Sequence, residues 1–177
     1  MQPACPVPPY PALPMKKVDN DIFFAWVESE IEAGHAVRFR LKGNSMYPLL
    51  RNGKDVVVLE KCPAESLQPM DVVLFRYRGK HVLHRILRRE GERLLIQGDG
   101  SFVAKEECTV NDVVGKVVQV CRPSGKVLSV DSWQWTIPSR LWRLFSPSIV
   151  TPRLGTMQMS MRVTPMQLCP RILKAMC

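Results

Sequence analysis

Three residues along the chain, Ser45, His84 and Asp99, are of the types that together cleave peptide bonds. A serine hydroxyl is a poor nucleophile at its own pKa, so it needs a base within hydrogen-bond reach, and a carboxylate commonly orients that base. Histidine suits the role of base because its ordinary pKa lies close to neutral pH. Any chain of 177 residues contains these types, so the surrounding sequence must decide whether they form one catalytic site.

The segment around Ser45 reads Lys-Gly-Asn-Ser-Met-Tyr-Pro over residues 42–48 and precedes an Asn-Gly turn. A strand is predicted just before it, so the serine stands on a bend where its hydroxyl can face a groove. We predict that Asn44, Met46 and Pro48 line the oxyanion and substrate groove. A serine at the end of a strand is more often a turn or cap residue, and the assignment therefore depends on its partners.

The base has several candidates. His81 and His84 lie three positions apart in one predicted strand, so their side chains point to opposite faces and only one can face the groove. His35 is the third histidine of the chain. Lys54 and Lys80 could serve only if burial lowered their pKa far below the ordinary value of about 10.4. We favour His84, and a surface position on the strand is the alternative interpretation of this residue.

Short β-rich runs separated by turn residues dominate the middle of the chain. They are predicted at residues 36–41, 55–59, 71–77, 81–87, 93–97 and 113–120. Glycine-containing turns break them, and the Gly-Asp-Gly segment at residues 98–100 follows the fifth run. This rhythm predicts a mainly β fold, a small coiled antiparallel β-barrel or sandwich.

Helical and irregular segments flank the β region. Apolar residues at helical spacing, with capping residues before them and Gly34 after them, predict one amphipathic helix over residues 19–33. A short basic amphipathic helix is predicted at residues 138–145, because Pro138 suits a first helical turn, and the rest of the tail is expected to be irregular. We divide the chain into a proline-rich leader (1–17), a peptidase-like β domain with its N-terminal helix (18–130) and a tail rich in Trp, Pro and Met (131–177).

Composition restricts the partners. Lysine and arginine outnumber acidic residues by 25 to 16, a formal net charge of +9, which favours an anionic partner such as a phospholipid surface or nucleic acid. The helix at 19–33 is too short for a helix-turn-helix, so we expect no nucleic acid partner. Peripheral contact with an anionic membrane is expected of the tryptophan-rich basic segment 133–145.

Composition also bears on the compartment. The six cysteines are scattered with no Cys-x-x-Cys pair, which favours reduced thiols and argues against a metal site. No run of about twenty apolar residues occurs, and the N-terminal stretch lacks the basic-then-apolar order of an export signal. We therefore expect a cytoplasmic protein, peripheral at the inner membrane face at most, that needs no cofactor.

Several motifs follow one another in a recognisable order. They are Gly-x-Ser-Met-x-Pro at 43–48, Met-Asp-Val-Val-Leu at 70–74, His-Arg-Ile at 84–86, Gly-Asp at 98–99 and Val-Val-Gly-Lys-Val-Val at 113–118. This order resembles the signal peptidase I family and its SOS-repressor relatives. In bacterial signal peptidases a lysine followed by arginine supplies the base, whereas His84-Arg85 looks like the archaeal and endoplasmic-reticulum branch, where histidine replaces the lysine. The resemblance implies a serine endopeptidase with a Ser45–His84 mechanism that cleaves a leader or signal segment from a peptide or preprotein.

Two positions depart from the family pattern. The usual Gly-Asp-Val is Met-Asp-Val at residues 70–72, and the residue two before the nucleophile, often a serine that helps to bind the oxyanion, is Gly43. Backbone N–H groups around Ser45, together with the Asn44 side chain, are then left to stabilise the tetrahedral intermediate. The alternative function is a self-processing or non-catalytic binding module on the same fold.

The same pattern bears on the choice of carboxylate. Asp99 follows Gly98 at the end of a predicted strand, in the register where the family places its Gly-Asp. Asp112 adjoins the family's closing strand and is expected to cap a turn before it. We predict that Asp99 orients His84, and a role for Asp112 or a Ser45–His84 dyad are the alternatives.

Overall fold

The computed structural model describes residues 20–101 and 104–145. The leader predicted at 1–17 and the tail after residue 145 lie outside the described residues. Within these residues there are two helices and eight strands, with single 3₁₀ turns at Ala64–Ser66 and Val110–Asp112. The elements are α1 (Asn20–Glu32), β1 (Val37–Arg40), β2 (Val56–Glu60), β3 (Val72–Tyr77), β4 (Lys80–Glu90), β5 (Arg93–Gln97), β6 (Glu106–Thr109), β7 (Val113–Cys121), β8 (Val127–Ser129) and α2 (Trp133–Phe145).

The strands form one antiparallel sheet in the order β1-β2-β7-β3-β4-β5-β6, and β8 pairs with β7. Register shifts interrupt the β2–β7, β3–β7 and β4–β5 ladders. Such irregularities bend a strand and increase its twist, which lets a single sheet curl around a core. The predicted mainly β fold with an N-terminal helix is confirmed.

The β3–β4 hairpin fixes the position of the candidate base. Its turn has Arg78 at φ 49° and Gly79 at φ 72°, and positive φ at both central residues is the geometry that matches the twist of a two-residue hairpin. The register pairs His84 with Val73 and Arg85 with Val72. Because successive side chains alternate across a strand, His84 and Arg85 lie on opposite faces of the sheet.

Helix α1 covers one face of the sheet and confirms the predicted amphipathic pattern. Phe23, Phe24, Val27 and Ile31 are buried and join a core cluster with residues of β1, β2, β3 and β7. The helix ends at Glu32, and Gly34 just after it adopts φ 84°, a conformation that a glycine enters without steric cost. The apolar side of this amphipathic helix therefore covers the first face of the sheet.

A second apolar cluster fills the other face, on the side of His84. It contains Val73, Phe75, Ile86 and Ile96 together with Cys108. Burial raises the pKa of the Cys108 thiol to about 12, so this sulfur stays protonated at neutral pH and packs as a small apolar group. Cys62 and Cys121 of the described residues are free thiols as well.

Helix α2 begins five residues before the predicted short helix. The Ser132 carbonyl accepts hydrogen bonds from the N–H groups of Trp135 (3.0 Å) and Thr136 (2.9 Å), which starts the helix at Trp133. Pro138 therefore lies inside the helix rather than in its first turn. The prediction of 138–145 was too short because it treated this proline as a start signal.

Strands β6 and β8 were not predicted. Both are short, and the sequence of β6, Glu-Glu-Cys-Thr, begins with two residues that are depleted in strands. β6 forms because Leu94 and Ile96 of β5 offer paired backbone positions to Cys108 and Glu106. This omission affects the prediction of the candidate site, because β6 carries Glu106, the carboxylate that contacts His84.

Met70 occupies the position where the family usually has glycine, and it adopts φ 81°. A left-handed conformation costs a residue with a Cβ about 1–2 kcal/mol, which exceeds the entropic penalty of glycine, about 0.5–1 kcal/mol. Met70→Gly is therefore expected to raise the free energy of unfolding by up to about 1 kcal/mol, measured by urea denaturation. Met70→Ala, which keeps the Cβ, is the matched control and should give no gain; equal stability of the two variants would contradict this explanation.

Candidate functional site

The segment that carries Ser45 is a closed loop between β1 and β2. The Leu41 carbonyl accepts from the Gly53 N–H at 2.8 Å, which joins the two ends of the loop. Asp55 is fully buried and accepts from the Arg51 N–H (2.7 Å) and from the Arg51 guanidinium (2.9 Å). Arg122 donates to the same carboxylate. A buried carboxylate with three sets of donors holds the loop in one conformation.

Inside this loop the backbone explains the glycine at position 43. Gly43 adopts φ 117°, which is accessible to glycine and strained for residues with a side chain. Its N–H donates to the Asn52 Oδ1 at 3.0 Å. The family's oxyanion-binding serine is thus absent at a position whose backbone suits glycine, and any oxyanion donor must come from elsewhere in the loop.

Ser45 and His84 meet at Gly98. A Cβ placed on Gly98 would stand 2.4 Å from the Ser45 carbonyl oxygen and 2.9 Å from His84 Nε2, so the serine backbone and the imidazole both press against this residue. The strand register accounts for the contact. Arg85 pairs with Gln97 in an antiparallel ladder, so His84, one residue before Arg85, lies opposite Gly98, one residue after Gln97. Only glycine allows the nucleophile loop and the candidate base to approach so closely.

Two polar atoms at this contact lack a partner among the described residues. Ser45 Oγ and His84 Nε2 are both buried and make no hydrogen bond there. Buried polar atoms are normally satisfied, and exceptions in native proteins often mark sites of chemistry. These two atoms do not bond to each other. A buried, unpartnered hydroxyl and a buried, unpartnered imidazole nitrogen are the groups that a nucleophile and its base require.

The other nitrogen of His84 is bound to Glu106. His84 Nδ1 lies 2.5 Å from Glu106 Oε2, with both side chains mostly buried. The pairing follows from the sheet, because Ile86, Ile96 and Glu106 are aligned across β4, β5 and β6, and His84, two residues before Ile86, lies on the same face. A carboxylate that accepts the Nδ1–H leaves Nε2 free of its proton, which is the tautomer that a base needs.

The prediction that Asp99 orients His84 was wrong. Both oxygens of the fully buried Asp99 carboxylate accept from Arg85, Oδ1 from Nε and Oδ2 from Nη2, each at 2.8 Å. Because Arg85 and His84 point to opposite faces of β4, the carboxylate that neutralises the guanidinium cannot also reach the imidazole. Asp99 stabilises the loop that follows β5 and makes no contact with the candidate base.

Arg85 connects this loop to two further parts of the fold. Its Nη1 donates to the Met70 carbonyl at 2.7 Å, and its guanidinium lies 5.5 Å from the centre of the Trp135 ring of α2. Trp142 of the same helix donates its indole N–H to the Asp99 carbonyl at 2.9 Å. The buried arginine and its partners therefore fasten α2 against the segment that carries Gly98.

The other candidate bases are engaged elsewhere. His81 Nε2 lies 2.6 Å from Glu28 Oε1, and its ring stacks on Phe24, so this histidine anchors α1. His35 is exposed and pairs with Glu30. Lys54 and Lys80 are exposed, and neither has the burial that a deprotonated lysine needs.

Asp112 caps a turn, as its sequence position indicated. Its carboxylate accepts from the Thr109 N–H and the Thr109 hydroxyl, each at 2.8 Å. The Thr109 backbone N–H, and then its hydroxyl, lower the pKa of the Asp112 carboxyl. The residue has no contact with His84 and does not belong to the site.

This geometry gives a pH-dependent prediction. Asp112→Ala is expected to lower the free energy of unfolding by about 1 kcal/mol at pH 7, the usual cost of a lost cap, without a change in turnover. Because the pKa is lowered in the folded protein, the stabilisation is present at neutral pH and is lost as the pH falls through that lowered pKa. Urea denaturation at pH 7 and below about pH 3 should therefore show a difference between the two proteins that shrinks in acid.

The three residues predicted to line the groove have different fates. Asn44 is exposed and Pro48 is half-buried beside Ser45, and the Tyr47–Pro48 peptide bond is cis. Met46 is 1% exposed and packs in the core below the loop. Its assignment to the groove was wrong, because the turn at Ser45 directs the next side chain inward.

The family model described as Peptidase S24-like matches residues 11–118, more than half of the 177 residues. The chain belongs to the Peptidase S24-like family. The match covers the nucleophile loop, β4 and β6, and it supports a peptidase-type hydrolase fold for this S24-like protein. A search of curated proteins found no match.

Across residues 20–101 and 104–145, no group of three or more His, Cys, Asp or Glu side chains is placed to hold a metal ion. In the same part of the S24-like chain, no helix has the length and hydropathy to cross a bilayer.

Proposed function

We propose that this S24-like protein is a serine endopeptidase in which Ser45, His84 and Glu106 act as nucleophile, base and orienting carboxylate. The observation that carries the proposal is the contact at Gly98, where the Ser45 backbone carbonyl and His84 Nε2 lie against the same residue, together with the burial of Ser45 Oγ and His84 Nε2 without a partner. Glu106 on the second imidazole nitrogen supports the same assignment. Nucleophile, base and orienter in series are the recurring arrangement of serine hydrolases.

The proposed reaction begins when His84 Nε2 takes the proton of the Ser45 hydroxyl as the oxygen attacks the carbonyl carbon of the scissile peptide bond. The tetrahedral oxyanion is stabilised by backbone N–H groups of the loop and by the Asn44 side chain. His84 then gives its proton to the leaving amine, and an acyl-enzyme remains on Ser45. Water activated by the same histidine hydrolyses the ester and restores the free serine.

Glu106 keeps His84 in the productive state throughout this cycle. Its carboxylate accepts the Nδ1–H, so that Nε2 begins each turnover unprotonated, and it stabilises the imidazolium that forms during proton transfer. Because both side chains are mostly buried, this interaction is poorly screened by solvent.

We propose as substrate a peptide or preprotein from which a leader or signal segment is removed. The resemblance to signal peptidases supports an extended segment with small residues at the cut. A second candidate is self-processing, in which the cleaved bond belongs to this chain; the full burial of the Ser45 hydroxyl favours it, because a buried nucleophile suits a tethered substrate.

The test is mass spectrometry of candidate leader peptides, and of the chain itself, after incubation with the wild type and with Ser45→Ala. New peptide termini that require Ser45 support the proposal. Termini in added peptides indicate cleavage in trans, whereas fragments of the chain that appear at a rate independent of protein concentration indicate self-processing. If the folded wild type cleaves neither substrate, the result contradicts the enzymatic function. The alternative is then a non-catalytic binding module on the same fold.

A further inference from the structure

The outer face of helix α2 carries a stripe of exposed apolar side chains. Its members are Trp133 (69% exposed), Ile137 (51%), Leu141 (48%), Leu144 (68%) and Phe145 (80%). At 3.6 residues per turn these positions fall within an arc of about 120°, one continuous face of the helix. Solvent-facing residues of a surface helix are normally polar, so five large apolar side chains on that face indicate a binding surface.

The inner face of α2 is fixed to the body of the protein. Trp135 and Ser139 are 4% and 1% exposed, and Trp142 donates to the Asp99 carbonyl. Arg143 donates to Gln97 Oε1 at 3.2 Å. Since these contacts set the rotation of the helix about its axis, the apolar stripe is held outward and cannot turn into the core.

The exposed Asp131 lies just before α2, and from the start of the helix onward all the charged side chains are basic. No Asp or Glu occurs after Asp131. The cations of the same stretch are Arg140, Arg143, Arg153, Arg162, Arg171 and Lys174. Arg140 is exposed and adjoins the stripe on the helix, so the apolar face has a basic border.

We propose that the outer face of α2 is a docking surface for an anionic phospholipid bilayer. Tryptophan and phenylalanine favour the interface between headgroups and acyl chains, and arginine favours anionic headgroups. The α2 helix of a second copy, or the segment after residue 145, would bring positive charge against positive charge with no Asp or Glu of its own to offset it. Charge complementarity therefore selects the lipid surface over these two occupants.

Docking through α2 brings the candidate site close to the bilayer. The Trp142 indole binds the carbonyl of Asp99, and Asp99 adjoins Gly98, where Ser45 and His84 meet. A substrate that emerges from a membrane or lies on it would then need only a short extended segment to reach Ser45. The docking surface does not depend on catalysis, so the lipid experiment can fail while the peptidase proposal stands.

The experiment is co-sedimentation of the full chain with vesicles of phosphatidylcholine alone and with an added fraction of phosphatidylglycerol. Binding is expected only to the anionic vesicles and should weaken by about tenfold or more when salt shortens the Debye length to about 3 Å. Leu141→Ser with Leu144→Ser should reduce partitioning by about tenfold or more. Val127→Ser changes an apolar residue that is 41% exposed on β8 and is the matched control, with partitioning expected within about twofold of the wild type.

Circular dichroism confirms that each variant is folded, and light scattering without lipid reports the oligomeric state. Several results would overturn the proposal: absence of binding, equal binding to neutral vesicles, or unchanged binding of the folded double variant. Assembly into dimers that the double variant abolishes would instead assign the stripe to a second copy. A variant that lacks residues 146–177 completes the experiment. If it keeps α2 intact but no longer binds lipid, the lipid contact lies in the removed segment and not on α2.

Discussion

Ser45→Ala is expected to lower peptide-bond cleavage by about 10⁴- to 10⁶-fold, and His84→Ala by a similar factor. The serine oxygen forms the bond to the substrate, and the imidazole removes its proton, so neither step has a substitute once one group is absent. The double variant should be little worse than either single variant, because residues that act as one unit are strongly non-additive.

The measurement is the rate of appearance of new peptide termini by mass spectrometry, with circular dichroism to confirm folding. Ser66→Ala is a matched serine control, since its exposed hydroxyl donates only to the Pro63 carbonyl. His35→Ala is the corresponding histidine control at an exposed position. Both controls should retain wild-type turnover; comparable turnover in a folded Ser45→Ala variant would exclude the proposed mechanism.

Glu106→Gln is expected to lower turnover by up to about 10⁴-fold while the protein stays folded. An amide in this place can donate to Nδ1, which would favour the tautomer with the proton on Nε2 and leave His84 unable to act as base. The amide also carries no charge to stabilise the imidazolium. Glu107→Gln, on the exposed side of the same strand, is the matched control and should leave turnover unchanged.

Asp99→Asn should have a different effect from Glu106→Gln. It leaves the fully buried Arg85 guanidinium without its counter-ion, and the removal of one partner of a buried ion pair destabilises a protein by about 3–5 kcal/mol. Urea denaturation and kinetics separate the two roles. Asp99→Asn should mainly lower the free energy of unfolding, whereas Glu106→Gln should mainly lower turnover. Normal turnover in Glu106→Gln alongside a folded, inactive Asp99→Asn would reverse the assignment, and two active variants would indicate a Ser45–His84 dyad.

Much of the fold and two members of the candidate site could be predicted because their signals are local. Alternating apolar runs with glycine turns predicted six of the eight described strands, and helical spacing predicted α1. The unusual string around Ser45 and the His-Arg dipeptide at residues 84–85 were sufficient to choose Ser45 as the candidate nucleophile and His84 as the candidate base. Each of these signals lies within about ten residues of the feature that it predicts.

The carboxylate could not be predicted in this way because its partnership is set by strand order. Glu106 reaches His84 only because β6 lies beside β5 and β5 beside β4, and β6 has no alternating apolar pattern to announce it. The error at Asp99 had a usable signal. Arg85 stands between His84 and Ile86 in an apolar strand, and a guanidinium in that place needs a buried counter-ion, which Asp99 supplies.

The neighbouring positions of His84 and Arg85 on β4 also constrain how the protein can misfold. If β4 slipped by one residue against β3, each of its side chains would change face. The guanidinium would then enter the apolar cluster that contains Val73 and Phe75 of β3, away from Asp99. An unpaired buried charge costs several kcal/mol, a large part of the stability of a domain this size. The Arg85–Asp99 ion pair therefore favours the native register of β4. In that register His84 lies on the face of the sheet that is directed toward the Ser45 loop.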